Sequence, residues 1–350
     1  MSSQTSTTST TTTRGKVFVT EGDAWVGFYA AYSLIKQGHF NKVFVGVRKD
    51  RRQGSDLVQQ LETMGAEIIE YDPTSAQGNW IQHLAGVHSI VLVPVHDVQH
   101  MAKYSINVLK AAEQEQACKQ LVLWSAMGAA YIGGGGTTPA GGQGGNEEAI
   151  FRQFHEIEQA VHQCEKLGKW VTLRLGFLMQ EFFALSSVMQ NRGLFPLTTK
   201  SGKVAPVDVK DIGRATAKLL AEPNLFDKYH KQTVSLTGTH AHAGPALVEI
   251  LNATIDAQIQ FQEVSLDQMR EILGKNEKID QTEQAIFLGY LCLLKANKLE
   301  TVTKDLHTIL GRNPTDIKAF FQANRDSFRP HRSHVQACAL KEARREHQQQ

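Results

Sequence analysis

Apolar positions recur with two different periods along this chain. From Lys16 a β-branched apolar run, VFVT, gives way to a turn and then to VGFYAAYSLIKQG, whose apolar residues return at helical spacing and end at Gly38, a residue suited to a helix C-terminus. This predicts a strand, a turn and a helix. The cycle then repeats. KVFVGV surrounds Val45, a polar helical stretch runs from Ser55 to Met64, and AEIIEYD passes through Ile69. SIVLVPV (Ser89 to Val95) precedes a helical stretch near Ala102 to Glu113, and QLVLWSA surrounds Leu123. Five short apolar strands alternating with helices predict a parallel sheet covered on both faces.

The stretch from Ile132 to Asn146, IGGGGTTPAGGQGGN, is too rich in glycine to hold one conformation and reads as a flexible loop. It follows the fifth strand, and ligands of open parallel sheets sit outside the carboxyl ends of the strands. The loop therefore flanks the expected crevice, either as a lid or as a solvated insertion without a role. A helix from Glu147 to Leu167 and a sixth strand, Trp170 to Phe177, complete the regular part. Beyond Phe177 the alternation is irregular, with Asp208 to Leu220 and Thr233 to Gly238 expected to return to the main sheet.

The predicted fold class is α/β: a doubly wound, parallel-sheet Rossmann-type domain with a smaller C-terminal α/β lobe. The boundaries follow from composition: a Ser/Thr-rich disordered tail over 1–14, the dinucleotide-binding domain over 15–177, the lobe over 178–330 and a polar basic tail over 331–350.

Charge and composition narrow the function classes. Lys and Arg number 37 against 35 Asp and Glu, a formal charge of +2, so no whole-chain field points to nucleic acid or an anionic membrane. Cys118, Cys164, Cys292 and Cys338 are widely spaced and form no CxxC pair, which argues against a disulfide framework or a zinc site and for a reducing compartment. The start lacks a secretory pattern, and no apolar run reaches the roughly 18 residues of a membrane span. The expected location is cytoplasmic or also nuclear. The oligomeric state is open.

The chemistry concentrates in the turn after the first strand, TEGDAWVG (Thr20 to Gly27). A dinucleotide phosphate turn needs glycine at the sharp bend, at the closest backbone approach to the pyrophosphate, and where helix packs on strand. On that template Glu21 takes the first position, Ala24 the second and Gly27 the third, so only the packing glycine survives, with Gly22 one place off. Glu21 and Asp23 bring carboxylates to the helix N-terminus, where a like-charge contact at about 4 Å costs on the order of 4 kcal/mol. Either side chain can instead turn to solvent, and Asp23 can serve as a helix cap. After the second strand VRKDRR supplies Arg48, Lys49, Arg51 and Arg52, which suit a 2′-phosphate or a solvated cluster.

VTEGDAWVG, RLGFLMQEFF (Arg174 to Phe183), APVDVKDIG (Ala205 to Gly213), VSLTG, EVSLDQM (Glu263 to Met269) and FFQANRDSF (Phe320 to Phe328) occur in an order and spacing that resemble the NmrA-like branch of the atypical short-chain dehydrogenase/reductase superfamily. The resemblance runs over roughly Gly15 to Pro330. It implies two kinds of member, NAD(P)-binding regulatory or redox-sensing proteins and NAD(P)H-dependent reductases. The cofactor contacts expected are Thr20, Gly22, Ala24, Trp25, Val26 and Gly27 of the turn, Arg48 and Lys49, and Ser125 beside the nicotinamide.

No catalytic residue emerges. The YxxxK pair of short-chain reductases occurs only as Tyr32 and Lys36, on the first helix. Reductase-like relatives carry a Lys before a pattern like EIEQAV, and here that neighbourhood holds Phe154 and His155. His155 is a proton-donor candidate only by its near-neutral pKa. His96 and Asp97 are candidates for the crevice wall, while a hydrolase triad lacks its nucleophile elbow. His240 and His242 have no carboxylate or Cys partners for a metal. The expectation is a non-catalytic regulator or redox sensor acting through a protein partner, with NADP(H) binding weakened or lost. The alternative is an NADPH-dependent quinone or carbonyl reductase.

Overall fold

The computed structural model describes residues 14–51, 55–115, 118–132, 146–277 and 279–331. The Ser/Thr tail up to residue 13, the glycine-rich loop over 133–145, the C-terminal tail from 332, Arg52 and Cys338 lie outside the described residues.

Seven strands form one sheet: β1 (Arg14–Val19), β2 (Phe40–Arg48), β3 (Glu67–Tyr71), β4 (Val87–Leu92), β5 (Gln120–Ala126), β6 (Lys169–Leu175) and, later in the chain, β9 (Gln232–Leu236). Their order is β3-β2-β1-β4-β5-β6-β9, and every neighbouring pair is parallel. Strand β5 is buried at all its positions, as the uninterrupted apolar run QLVLWSA requires of a strand covered on both faces. The helices between these strands are α1 (Trp25–Gln37), α2 (Asp56–Thr63), α3 (Met101–Glu115) and α4 (Asn146–His162).

Beyond β6 the chain adds α5 (Ser186–Arg192), β7 (Leu194–Leu197), β8 (Lys203–Val204), α6 (Val209–Ala221) and α7 (Pro223–Tyr229). After β9 come β10 (His242–Ala243), α8 (Gly244–Ile255), β11 (Gln260–Glu263), α9 (Leu266–Gly274) and α10 (Gln281–Lys295). The last helices are α11 (Asp305–Leu310), α12 (Ile317–Ala323) and α13 (Arg325–Phe328). Two small sheets, β7 with β11 in parallel and β8 with β10 antiparallel, belong to this part.

One face of the main sheet packs on α1 and α6. Their axes come close because Gly213 has no side chain: a Cβ there would lie 2.3 Å from the Ser33 hydroxyl and 2.8 Å from the Tyr29 carbonyl. On the other face α3 and α4 carry the core onward into the C-terminal part, where Phe182, Phe183, Phe320, Phe321 and Phe328 form a ring cluster. The Tyr290 hydroxyl donates to the Leu175 carbonyl at 2.7 Å, which fixes α10 over the carboxyl end of β6. That end of the sheet is where the order reverses between β1 and β4, the position of a ligand crevice in an open α/β sheet.

Candidate functional site

The turn after β1 is drawn inward rather than toward solvent. Thr20 locks the ends of β1 and β4 together, its hydroxyl donating to Val93 O at 2.6 Å and accepting from Val93 N–H at 2.8 Å. Glu21 then adopts φ 58°, the left-handed conformation for which a glycine is selected in such a turn. A non-glycine residue there costs roughly 1–2 kcal/mol. Its side chain is fully buried and accepts hydrogen bonds from the Tyr71 hydroxyl and, at 2.8 Å, from the His96 backbone N–H.

The two glycines of the turn have packing roles. A Cβ on Gly27 would lie 2.0 Å from the Glu21 carbonyl oxygen, and one on Gly22 would lie 2.0 Å from Val45 Cγ1. Ala24 is the N-cap of α1 and offers no side-chain cap bond. Asp23 therefore does not cap the helix, and neither Asp23 nor Glu21 turns to solvent. Both carboxylates have a cation to reach. The Arg51 guanidinium folds back over them, 3.5 Å from Asp23 and 4.0 Å from Glu21, and bonds Asp280 at 2.6 Å.

Asp280 is supplied by the C-terminal part, at the N-cap of α10, where its carboxylate accepts from the Thr282 and Glu283 N–H groups. His96 Nε2 lies 2.9 Å from the same carboxylate. A Glu21–Arg51–Asp280–His96 network thus ties the turn after β1 to the start of α10. Its electrostatics are strained. Burial, reinforced by Asp23, raises the Glu21 pKa, and burial raises that of Asp23 despite Arg51. Burial and the neighbouring Glu21 push the Tyr71 phenol well above its ordinary value. Burial works against the charged forms of Asp280 and His96 as well, but their mutual hydrogen bond prevails, holding Asp280 well below the carboxylate range and raising His96. One oxygen of Asp23 and Nη1 of Arg51 are buried without a hydrogen-bond partner.

The other basic residues after β2 contribute less to the crevice. Arg48 is held by Asp50 through two bonds of 3.1 and 2.8 Å and reaches the His96 carbonyl at 3.4 Å, while Lys49 is exposed. His96, Asp280 and Glu283 bring three donor atoms within 4.8 Å of one another. Arg51 and the two backbone N–H groups already hold Asp280, so this trio is a poor seat for a cation.

The nicotinamide end differs in character. Ala24, Trp25, Val26, Ser125, Phe154 and Tyr290 line an apolar cavity of about 70 Å³. Ser125 donates to Glu158 at 2.6 Å, and Arg174 grips that fully buried carboxylate with bonds of 2.9 and 2.6 Å. Phe154, near which the resemblance would place a Lys, lines the cavity. His155 is not among the cavity's lining residues, and Asp97 instead accepts from the Gln99 and His100 N–H groups at the start of α3. The Tyr32–Lys36 pair stays on α1, with the ammonium 5.8 Å above the ring centre.

Sequence reasoning missed Asp280, Tyr71, Glu158 and Arg174 as site residues. Glu158 and Arg174 stand within the quoted patterns EIEQAV and RLGF, so their pairing was within reach. Asp280 carries no local signal.

A profile of the NmrA-like family matches residues 16–321. An NAD(P)H azoreductase of Xenophilus azovorans is 22% identical over 182 residues, 51% of this chain and 60% of the relative, so the match spans under two thirds of that protein. Among solved structures, the NADPH-dependent quinone oxidoreductase of Escherichia coli complexed with NADPH superposes with a TM-score of 0.70 at 19% identity, covering 88% of this chain and 99% of that one. The triphenylmethane reductase of Citrobacter sp. gives 0.69 at 18%, covering 89% and 99%. At such identities the likeness establishes the fold, the Rossmann-type architecture of NADPH-dependent reductases.

Proposed function

The chain belongs to the NmrA-like family, and from that premise we propose that it is a non-catalytic regulator or sensor whose dinucleotide crevice is closed at the adenosine end by its own side chains. One observation carries this reading. Glu21, in place of the bend glycine, is fully buried beneath the turn and is fixed there by Tyr71, His96 and Arg51. A dinucleotide phosphate entering this region meets Glu21 and Asp23, and Arg51, the cation best placed to receive it, is committed to Asp280. The residues present do not fit NADP(H) as they stand. Binding is accordingly weak, and the protein acts through contacts with a protein partner.

The second reading is an NADPH-dependent oxidoreductase. It is supported by the reductases among its relatives and by the apolar cavity that persists at the nicotinamide end beside Ser125. A calorimetric titration of the full chain with NADPH separates the two, run beside an assay of NADPH oxidation with quinones, azo dyes and carbonyl compounds. The expected result is a Kd above about 100 μM, weaker than about −5.5 kcal/mol, and no turnover. Low-micromolar binding with steady oxidation supports the reductase reading instead.

A further inference from the structure

Outside the apolar cavity lies a second, more open space of about 260 Å³, walled by Trp25, Tyr29, Phe183 and Phe287. Trp25, Glu181 and Glu283 line both spaces, so the two carboxyl groups stand where the inner cavity meets the outer groove. We propose that this groove binds a compact organic cation, a protonated amine carrying one or two rings, held between Glu181 and Glu283 with its charge over the surrounding aromatic faces.

Three observations carry the proposal. First, no Lys or Arg among the described residues is paired with either acid, and only the imidazole of His96 stands near Glu283. Among the described residues the Glu181 carboxyl has no hydrogen-bond or ion-pair partner, and that of Glu283 accepts from Asp280 N–H at 3.1 Å and from Trp25. Arg51 is committed to Asp23 and Asp280. Secondly, burial and the neighbouring Glu283 push the Glu181 carboxyl up to about 8, so a bound positive charge would relieve an unfavourable pair of acids. Thirdly, aromatic faces beside carboxylates are the surroundings in which cation–π attraction selects an organic ammonium. The volume is near the lower limit of small-molecule pockets, which excludes a whole dinucleotide, and the paired acids repel phosphates.

The proposal shares Trp25 with the crevice but does not depend on how tightly NADPH binds. Failure of one leaves the other measurable. The probes are 2-phenylethylamine and 3-phenylpropionate, of similar size and opposite charge, titrated calorimetrically into the full chain between pH 6 and 9. The amine remains mostly protonated over that range, by analogy with the lysine value of about 10.4.

The amine is expected to bind at least tenfold more tightly than the carboxylate, with affinity rising about tenfold from pH 6 to 9 as Glu181 ionises. At pH 7 its binding should release a proton from Glu181 to the buffer, so the observed heat changes with the buffer's own ionisation heat. The groups facing this pair are Tyr290 on α10, Tyr29 on α1, Asp280 at the start of α10, and His96, which acts through Glu283. Loss of the His96 charge favours the amine in the same direction, so the variant must be at Glu181. Glu181→Gln should weaken the amine at least tenfold and abolish the proton release, while the propionate is unaffected or improved. Should that variant fail to fold, the pH series repeated in His96→Gln, which removes the competing imidazole titration, decides. Equal binding of the two probes, or an amine affinity flat between pH 6 and 9, overturns the proposal.

Discussion

The two ends of the crevice share one sheet edge yet hold charge in opposite ways. At the adenosine end, carboxylates from β1's turn and from α10 converge on a single guanidinium, and two buried polar atoms are left without partners. At the nicotinamide end a single carboxylate, Glu158, meets a single guanidinium, Arg174, in two-bond geometry and also accepts from Ser125. The second pair is locally satisfied and leaves a cavity beside it; the first fills the space it occupies. A surplus of buried acid over base is tolerable only where donors or a bound proton offset it, and here Tyr71 and the His96 N–H donate to Glu21 while burial raises the pKa of Glu21 and Asp23.

The largest effect is expected from breaking the satisfied pair. Arg174→Met leaves the fully buried Glu158 uncompensated and should lower stability by about 3–5 kcal/mol in denaturant titrations. A loss below about 1 kcal/mol would mean that the pair contributes little to the fold and that the two ends are more alike than their geometry suggests.

Opening the crowded end is the next test. Glu21→Gly with Ala24→Gly removes the left-handed Glu, its charge and a methyl group, while Arg51 keeps Asp23 and Asp280. NADPH affinity should improve at least tenfold, about 1.4 kcal/mol, without the appearance of turnover. An unchanged affinity would place the obstruction elsewhere, with Asp280 and α10 as the next candidates.

A smaller effect follows from the His96–Asp280 contact. A His whose pKa is raised in the folded state contributes stability that is complete below about pH 6.5 and is lost as pH rises through the folded value. His96→Gln should therefore cost about 1 kcal/mol near pH 6 and progressively less at higher pH, read from melting curves across that range. A constant difference at all pH values would show that the imidazole acts by packing alone.

The smallest change is expected at Arg48. Its partner Asp50 is largely exposed, so Arg48→Ala should alter stability by less than about 0.5 kcal/mol. In the Glu21→Gly, Ala24→Gly background the same substitution should abolish any preference for NADP(H) over NAD(H), measured as a ratio of dissociation constants. A preference that survives would assign the 2′-phosphate to Arg51.

Much of the molecule was legible before its coordinates. The repeated apolar runs at Val17, Val45, Ile69, Val91 and Leu123 become neighbouring parallel strands because a strand buried on both faces has few other sequences available to it. The substitution at Glu21 was equally plain. Its direction was not: exposure, helix capping and burial are all open to an acidic turn, and the outcome rests on partners 30 to 259 residues away, namely Arg51, Tyr71, His96 and Asp280.

Sequence by itself thus determined the strand–helix alternation, the lost glycines and the family, since each is written in local periodicity or in ordered motifs. Tertiary structure alone decided that the acidic turn faces inward, that Asp280 of α10 shares its guanidinium, and that Glu181 and Glu283 meet at the mouth of an aromatic groove. The physical reason is that the ionisation and orientation of a carboxylate depend on the few ångströms around it. Those few ångströms are assembled by chain segments that lie far apart in the sequence.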